Sequence, residues 1–348
     1  MESKRRDRFQ TWIYLIIVTV TIAVFLLCLC LGSVNIPARD IFRVIWDAVN
    51  GLPSENSLAR SVIVPVRLPR VLCVALTGAA LALAGAAMQG LLRNTLADGS
   101  TLGVSSGASL GAVIAIAFGV SFPSLPFAGT MVMAIIFAMV SLLLILGLAY
   151  RLDNSLSTNT IILIGVIFSM FASSIMTIVI TFASDHIKSI TFWTMGSLQG
   201  SSFLNALILA SALLICSVIL ISHSSELNAF AVSEENAGRI GVNIRRVKLT
   251  VLITVSVLIG VCVSIGGSIA FVGLVTPHMV RMITGPNHKK LLPVSMFSGA
   301  VFLMLADLIA RTLLNPRELP IGVVTSIVGA FVFIFIYYRS RGGTRSNA

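Results

Sequence analysis

The chain has 348 residues, 57% of them hydrophobic and only 11% charged, with a mean hydropathy of +1.00. Such a composition excludes a soluble globular domain and describes a polytopic membrane protein. The formal net charge of +11 comes from basic residues scattered between apolar runs; gathered on no single face or tail, they read as loop charge that sets topology and not as a nucleic-acid surface.

From the amino terminus, MESKRRDRFQ leads into an apolar run over residues 12–31. The run is too long for a signal peptide and no clear small-residue cleavage site follows, so it is expected to be a retained first helix. Dividing the apolar runs at proline, glycine and charged punctuation predicts ten spans, at 12–32, 71–92, 102–120, 126–149, 160–182, 203–222, 247–266, 268–284, 291–310 and 321–338. The stretch between Asp98 and Arg151 carries no charge and is expected to turn once, at FPSLP (122–126). At Gly266-Gly267 two readings stay open: two short spans, or one span and a re-entrant piece.

Two hydrophilic interruptions exceed a tight turn. In 33–67, IPARDIFRVIWDAV repeats Ile41, Val44, Ile45 and Ala48 at helical spacing, which predicts a helix lying at the membrane interface. In 223–246, HSSELNAFAVSEENAGRIGVNIRR is the most polar part of the chain. Ser233 followed by Glu234, Glu235 and Asn236 predicts a helix start, and Gly238 and Gly241 predict stops, giving two short helices. Ten spans return the chain to its starting side. Sixteen Lys and Arg then fall on the side of the termini and eight on the other, so both termini are expected in the cytoplasm.

Small residues recur at every fourth position at Gly78, Ala82, Ala86 and Gly90, and again at Gly99, Gly103, Gly107 and Gly111. On a helix this spacing makes a flat stripe for close packing, so the second and third spans are expected inside a bundle. GVSSG (103–107) and GASLG (107–111) match the nucleophile-elbow pattern, but in an apolar helix Ser105 and Ser109 lack the strand-to-helix turn that pattern needs. The five cysteines (Cys28, Cys30, Cys73, Cys216, Cys262) all lie in apolar runs. His186, His223, His278 and His288 form no ligand pair, so no metal site and no cofactor are expected. No phosphate-binding loop occurs, so any ATP-driven work needs a partner chain. Asp307 and Arg311 stand i, i+4, in the order that favours a helix ion pair near the end of the ninth span. Arg281 is expected to snorkel to the cytoplasmic surface.

RLPR (67–70), TGAALALAGAAMQGLLRNTLA (77–97), LGVSSGASLG (102–111), FWTMGSLQG (192–200), GGSIAFVGLVTPHMVR (266–281), NHKKLLPVSMFSGAVFLMLADLIAR (287–311) and ELPIGVVTSIVGAFVFI (318–334) occur in this order. In that order they resemble the FecCD family of bacterial ABC-transporter permeases, which import ferric siderophores, haem and vitamin B12. Thr95, Gly99 and Phe331 depart from prolines common in the family and bear only on helix ends. The resemblance implies an all-α permease like that of the vitamin B12 importer, a type II ABC importer, as a single transmembrane domain over 1–348 in the bacterial cell membrane. It implies as partners two ABC ATPase subunits, a second identical or homologous permease and an extracytoplasmic solute-binding protein, with a ferric siderophore as cargo; vitamin B12 or haem is the alternative cargo, and an ion-gradient-driven carrier is the alternative from another class. By the same resemblance Arg67, Arg70 and Arg311 face acidic residues of the binding protein. The segment 223–246 becomes the coupling element, with Glu234, Glu235 and Arg239 making polar contacts to the ATPase and Gly238 and Gly241 forming its turns. The chain itself is expected to catalyse no covalent step.

Overall fold

The structure, a computed structural model, describes residues 2–32, 34–52, 57–99, 102–121, 128–154 and 156–345. Every regular element among them is helical. The first helix, α1 (Glu2–Cys30), is followed by α2 (Ala38–Val49), the short helix expected at the interface. It buries Ile41 and Val44 and turns Phe42 and Trp46 outward, the two-faced pattern of a helix lying along a boundary.

Next, α3 (Ser57–Val62), a π-helical turn at Ile63–Arg67 and α4 (Leu68–Leu91) run on without a break. The sequence suggested a span beginning at 71. The earlier start has a local cause: Pro65 lacks an N–H and falls in the widened turn, while Pro69 sits in the first turn of α4, where a missing donor costs nothing. There follow α5 (Val104–Ala117), α6 (Ala128–Leu152), α7 (Thr158–Phe182), a short α8 (Ile187–Thr194) that the hydropathy pattern did not indicate, and α9 (Phe203–Ser222). The polar segment forms α10 (Ser224–Val232) and α11 (Glu234–Arg239), and α12 (Ile244–Gly266), α13 (Val272–Thr284), α14 (His288–Thr312) and α15 (Ile321–Arg345) complete the chain. The turn expected at FPSLP lies outside the described residues. Several starts are fixed by side-chain caps: Ser157, Ser202, Ser233 and Asn243 each accept a hydrogen bond from the backbone N–H three residues on.

Seven helical stretches among the described residues are long and apolar enough to cross a membrane: α1, the α3–α4 rod, α6, α7, α9, α12 and α14. Shorter apolar helices are α5 and residues Ile321–Ile336 of α15. α13 has 13 residues, about 20 Å of helix against a hydrocarbon layer of about 30 Å. The chain reaches it through non-helical residues 267–271, bounded by left-handed Gly267 and Phe271 (φ 68° at both). Gly267 lies against the Trp193 carbonyl and Gly196 against that of Ser268, while Ser268 and Ala270 are exposed and residues 267–271 line a recess, a setting in which irregular backbone is tolerated at membrane depth. Of the two readings at Gly266-Gly267, the structure has a full helix followed by a short one.

The rod containing α4 is the centre of the bundle, with 83% of its apolar window buried, whereas α7 has 22% and α1 11%. α4 packs against α14, α13, α12 and α9. Gly78 faces the Gly299 carbonyl and Gly85 that of Gly273, so closely that a Cβ at either would overlap the opposite backbone.

Candidate functional site

Two groups of charged and polar side chains stand at opposite ends of α4. At its start, Arg67, Arg70 and Arg311 converge, all buried. Arg67 lies in the π-helical turn, Arg70 in the first turn of α4 and Arg311 in the last turn of α14. Arg67 donates through Nη1 to the Leu29 carbonyl (2.8 Å) and through Nη2 to that of Val34 (2.7 Å). Arg311 donates to the Cys28 carbonyl (3.3 Å). Both guanidiniums thus serve the last carbonyls of α1, the negative end of its dipole. Asp307 binds the other two cations: Oδ1 accepts from Arg70 Nη2 at 2.9 Å and Nε at 3.1 Å, while Oδ2 lies 2.8 Å from Arg311 Nε. Glu318 adds a second carboxylate to Arg70 at 2.7 Å.

The expected Asp307–Arg311 pair is therefore present, with Arg70 as a third member. The expectation of arginines looking outward differs from what is found: each is turned inward, because a buried cation needs carboxylates or carbonyls at hand.

At the other end, Ser233 caps α11, and Gly241 (φ 90°) ends the helical run, with Val242 N–H donating to the Ala237 carbonyl at 3.0 Å. Glu235 and Arg239 form an exposed i, i+4 ion pair. Two expectations are corrected. Gly238 makes no turn; it lies inside α11, with Ile244 over it. Glu234 does not point away from the molecule: Oε2 lies 2.7 Å from Lys248 Nζ on α12, and Oε1 accepts from Thr158 Oγ1 on α7 at 3.2 Å. Lys248, 1% exposed, also donates to the Leu156 carbonyl at 2.8 Å. α10 has its own tie, Asn228 Oδ1, which accepts from the His288 backbone N–H at 2.8 Å. Arg281, half-buried in the last turn of α13, donates to Gln89 Oε1 on α4 at 3.2 Å.

Lys248, Glu318 and Asn228 escaped the reading of the sequence. Lys248 follows Arg245 and Arg246 and looks like one more topology charge. A usable signal existed, since it falls on the same helix face as Val247, Val251, Leu252 and Val255, all buried.

The small-residue positions divide. Gly78 and Ala82 meet Gly299, Gly90 meets the His288 ring, and Ala86 is buried between them in sequence. The second series is not one stripe. Gly99 precedes α5 and lies against Ile259, and Gly103 caps α5 in a left-handed conformation against the Gly165 carbonyl. Only Gly107 and Gly111 lie on the helix, facing Ser141 and Phe137 of α6. Thr77, Asp98, Ile259, Cys262 and Phe271 line a recess between α4, α12 and residues 267–271. No group of three or more His, Cys, Asp or Glu side chains among the described residues could hold a metal ion.

Comparison with known proteins places these features. The model of the FecCD transport family matches residues 20–339. The chain is 39% identical to the ABC transporter permease protein YvrB of Bacillus subtilis, covering 90% of both chains. It is 38% identical to the vitamin B12 import system permease protein BtuC of Vibrio vulnificus, over 82% of this chain and 86% of that one. With the hemin transport system permease protein HmuU of Yersinia pestis it shares 37% identity, over 89% and 92%. A solved metal-chelate type ABC transporter in an inward-facing conformation superposes with a TM-score of 0.82 at 31% identity, over 96% of this chain and 99% of that one. The chain belongs to the FecCD transport family, whose members are the membrane-embedded permease subunits of ABC transporters and leave ATP hydrolysis to a separate subunit.

Proposed function

We propose that the chain is the permease subunit of an ATP-driven importer of a ferric siderophore in the bacterial cytoplasmic membrane, with both termini in the cytoplasm. The observation that carries the reading is the α10–α11 pair, two short helices at the end of the bundle that leave Glu235, Arg239 and Ile240 exposed, at the end expected to carry the excess of Lys and Arg. An ATPase on each of two permeases would seat there, against Glu235, Arg239 and the turn at Gly241. The solute-binding protein would dock at the α2 end. Arg67, Arg70 and Arg311 would act beneath that surface, where three guanidiniums face two carboxylates, Asp307 and Glu318. The excess positive charge, with exposed Arg317 nearby in the chain, favours encounter with acidic lobes. The names of BtuC and HmuU favour a second reading, in which the cargo is vitamin B12 or haem.

The test is reconstitution of the chain with its cognate ATPase and binding protein in vesicles. Uptake of a ferric hydroxamate or catecholate, cobalamin or hemin is measured with and without ATP. ATP-dependent uptake of the ferric chelate is expected, ending when the ATPase site is blocked by vanadate. Uptake of cobalamin or hemin alone selects the second reading, and uptake driven by an ion gradient without ATP overturns both.

A further inference from the structure

We infer that Lys248 is a positioning residue that ties the coupling element to α7, so that displacement of α11 is passed to that helix; this rests on the proposal that α10–α11 receives the ATPase. The knot joins four pieces of chain. Glu234, the first residue of α11, reaches Lys248 on α12 with one carboxylate oxygen and Thr158, the first residue of α7, with the other. The Lys248 ammonium also holds the carbonyl of Leu156, two residues before α7 begins. Leu156 is a non-glycine residue in the left-handed region (φ 51°) with a buried side chain. A strained backbone of this kind persists only where its surroundings impose it, and the ammonium and the buried side chain do so.

The partners differ in how they can respond. α12 is a central helix, with 72% of its apolar window buried, while α7 has only 22%. α12 packs on α4, α5, α6 and α9, and α7 on α5 and α6. Of the two helices tied to Glu234, α7 has the smaller packed surface to carry with it, so a push on α11 moves α7 against a fixed α12. The exposed Glu235–Arg239 pair lacks this property, since both side chains lie on α11 itself.

The experiment uses the complete complex of permease and cognate ATPase. Spin labels are placed at Ile178→Cys, exposed near the far end of α7, and at Leu313→Cys, exposed beyond α14. The distance between them is read by double electron–electron resonance without nucleotide and after trapping with ADP and vanadate. The unsubstituted pair is expected to shift on trapping. Lys248→Met and Glu234→Gln are expected to lose at least half of that shift while trapping as much ADP, and the exchange Glu234→Lys with Lys248→Glu is expected to restore part of it. A full shift in both single variants overturns the inference, as does the absence of any shift in the unsubstituted complex when ADP is trapped. Loss of ATPase binding in the single variants also overturns it, assigning the pair to docking. An ATPase that crosslinks to Arg239→Cys in none of these complexes removes instead the reading of α10–α11 on which the inference stands. Where Lys248→Met does not fold, Lys248→Arg, which keeps the charge, and Glu234→Gln carry the comparison.

Discussion

Asp307 neutralises two guanidiniums at once, one from its own helix and one from α4, and all three groups are buried. Removing one partner of a buried ion pair costs about 3–5 kcal/mol, because the remaining charge keeps its desolvation penalty; an exposed i, i+4 pair is worth only about 0.3–0.5 kcal/mol. Asp307→Asn is therefore expected to lower the thermal unfolding temperature of the detergent-purified protein far more than Glu235→Gln, which breaks the exposed pair on α11. Equal shifts would mean that water, not Asp307, solvates Arg70 and Arg311. Half of this cluster was legible beforehand. The i, i+4 spacing gave Asp307 and Arg311, but nothing local joins Arg70 to Asp307 or to Glu318, which stand 237 and 248 residues away. Lys248 was missed for a related reason: a lysine in a basic run looks solvated until the helix face it occupies is counted.

Helices follow from hydrophobic runs and caps, and their interfaces from where a side chain is missing. Gly78 of α4 and Gly147 of α6 are both helical glycines in apolar sequence, and their surroundings are opposite. A Cβ at Gly78 would enter the Gly299 carbonyl and crowd Leu303, whereas one at Gly147 would meet nothing within 4 Å. Gly78→Ala is expected to separate α4 from α14 and to destabilise by about 1–3 kcal/mol, the usual result of overpacking. Gly147→Ala is expected to be neutral or to stabilise by up to about 1 kcal/mol, since alanine is the better helix former. Thermal unfolding of the two variants side by side checks this, and a shift of the same sign in both would remove the close α4–α14 approach. The existence of nearly all the long helices could be read from apolar run length. Their ends could not, because a π-helical turn absorbs Pro65 and because Gly99 and Gly103 belong to a loop and a cap where fourfold spacing suggested a continuous helix. α8 was invisible because eight residues after a turn leave no run to detect.

For the whole molecule the ruling question is which end faces the cytosol, since the geometry relates the ends of the bundle to each other and the charges give them a sign. By the ten-span topology α10–α11 falls on the side expected to carry sixteen of the twenty-four Lys and Arg, and cytoplasmic segments carry such an excess because basic residues close to a span resist translocation. Four of the five native cysteines are buried and Cys30 is half-buried, so a cysteine introduced at an exposed site is read against a low background. Trp46 on α2 and Ile240 just after α11 are 68% and 72% exposed and lie at opposite ends. In intact spheroplasts a membrane-impermeant maleimide is expected to label Trp46→Cys and to reach Ile240→Cys only after permeabilisation. The reverse pattern would turn the molecule over. It would put α10–α11 outside, out of reach of any cytosolic ATPase, and bring the Arg70–Asp307–Arg311 cluster to the cytosol, so an importer driven from α11 could not be built on this chain.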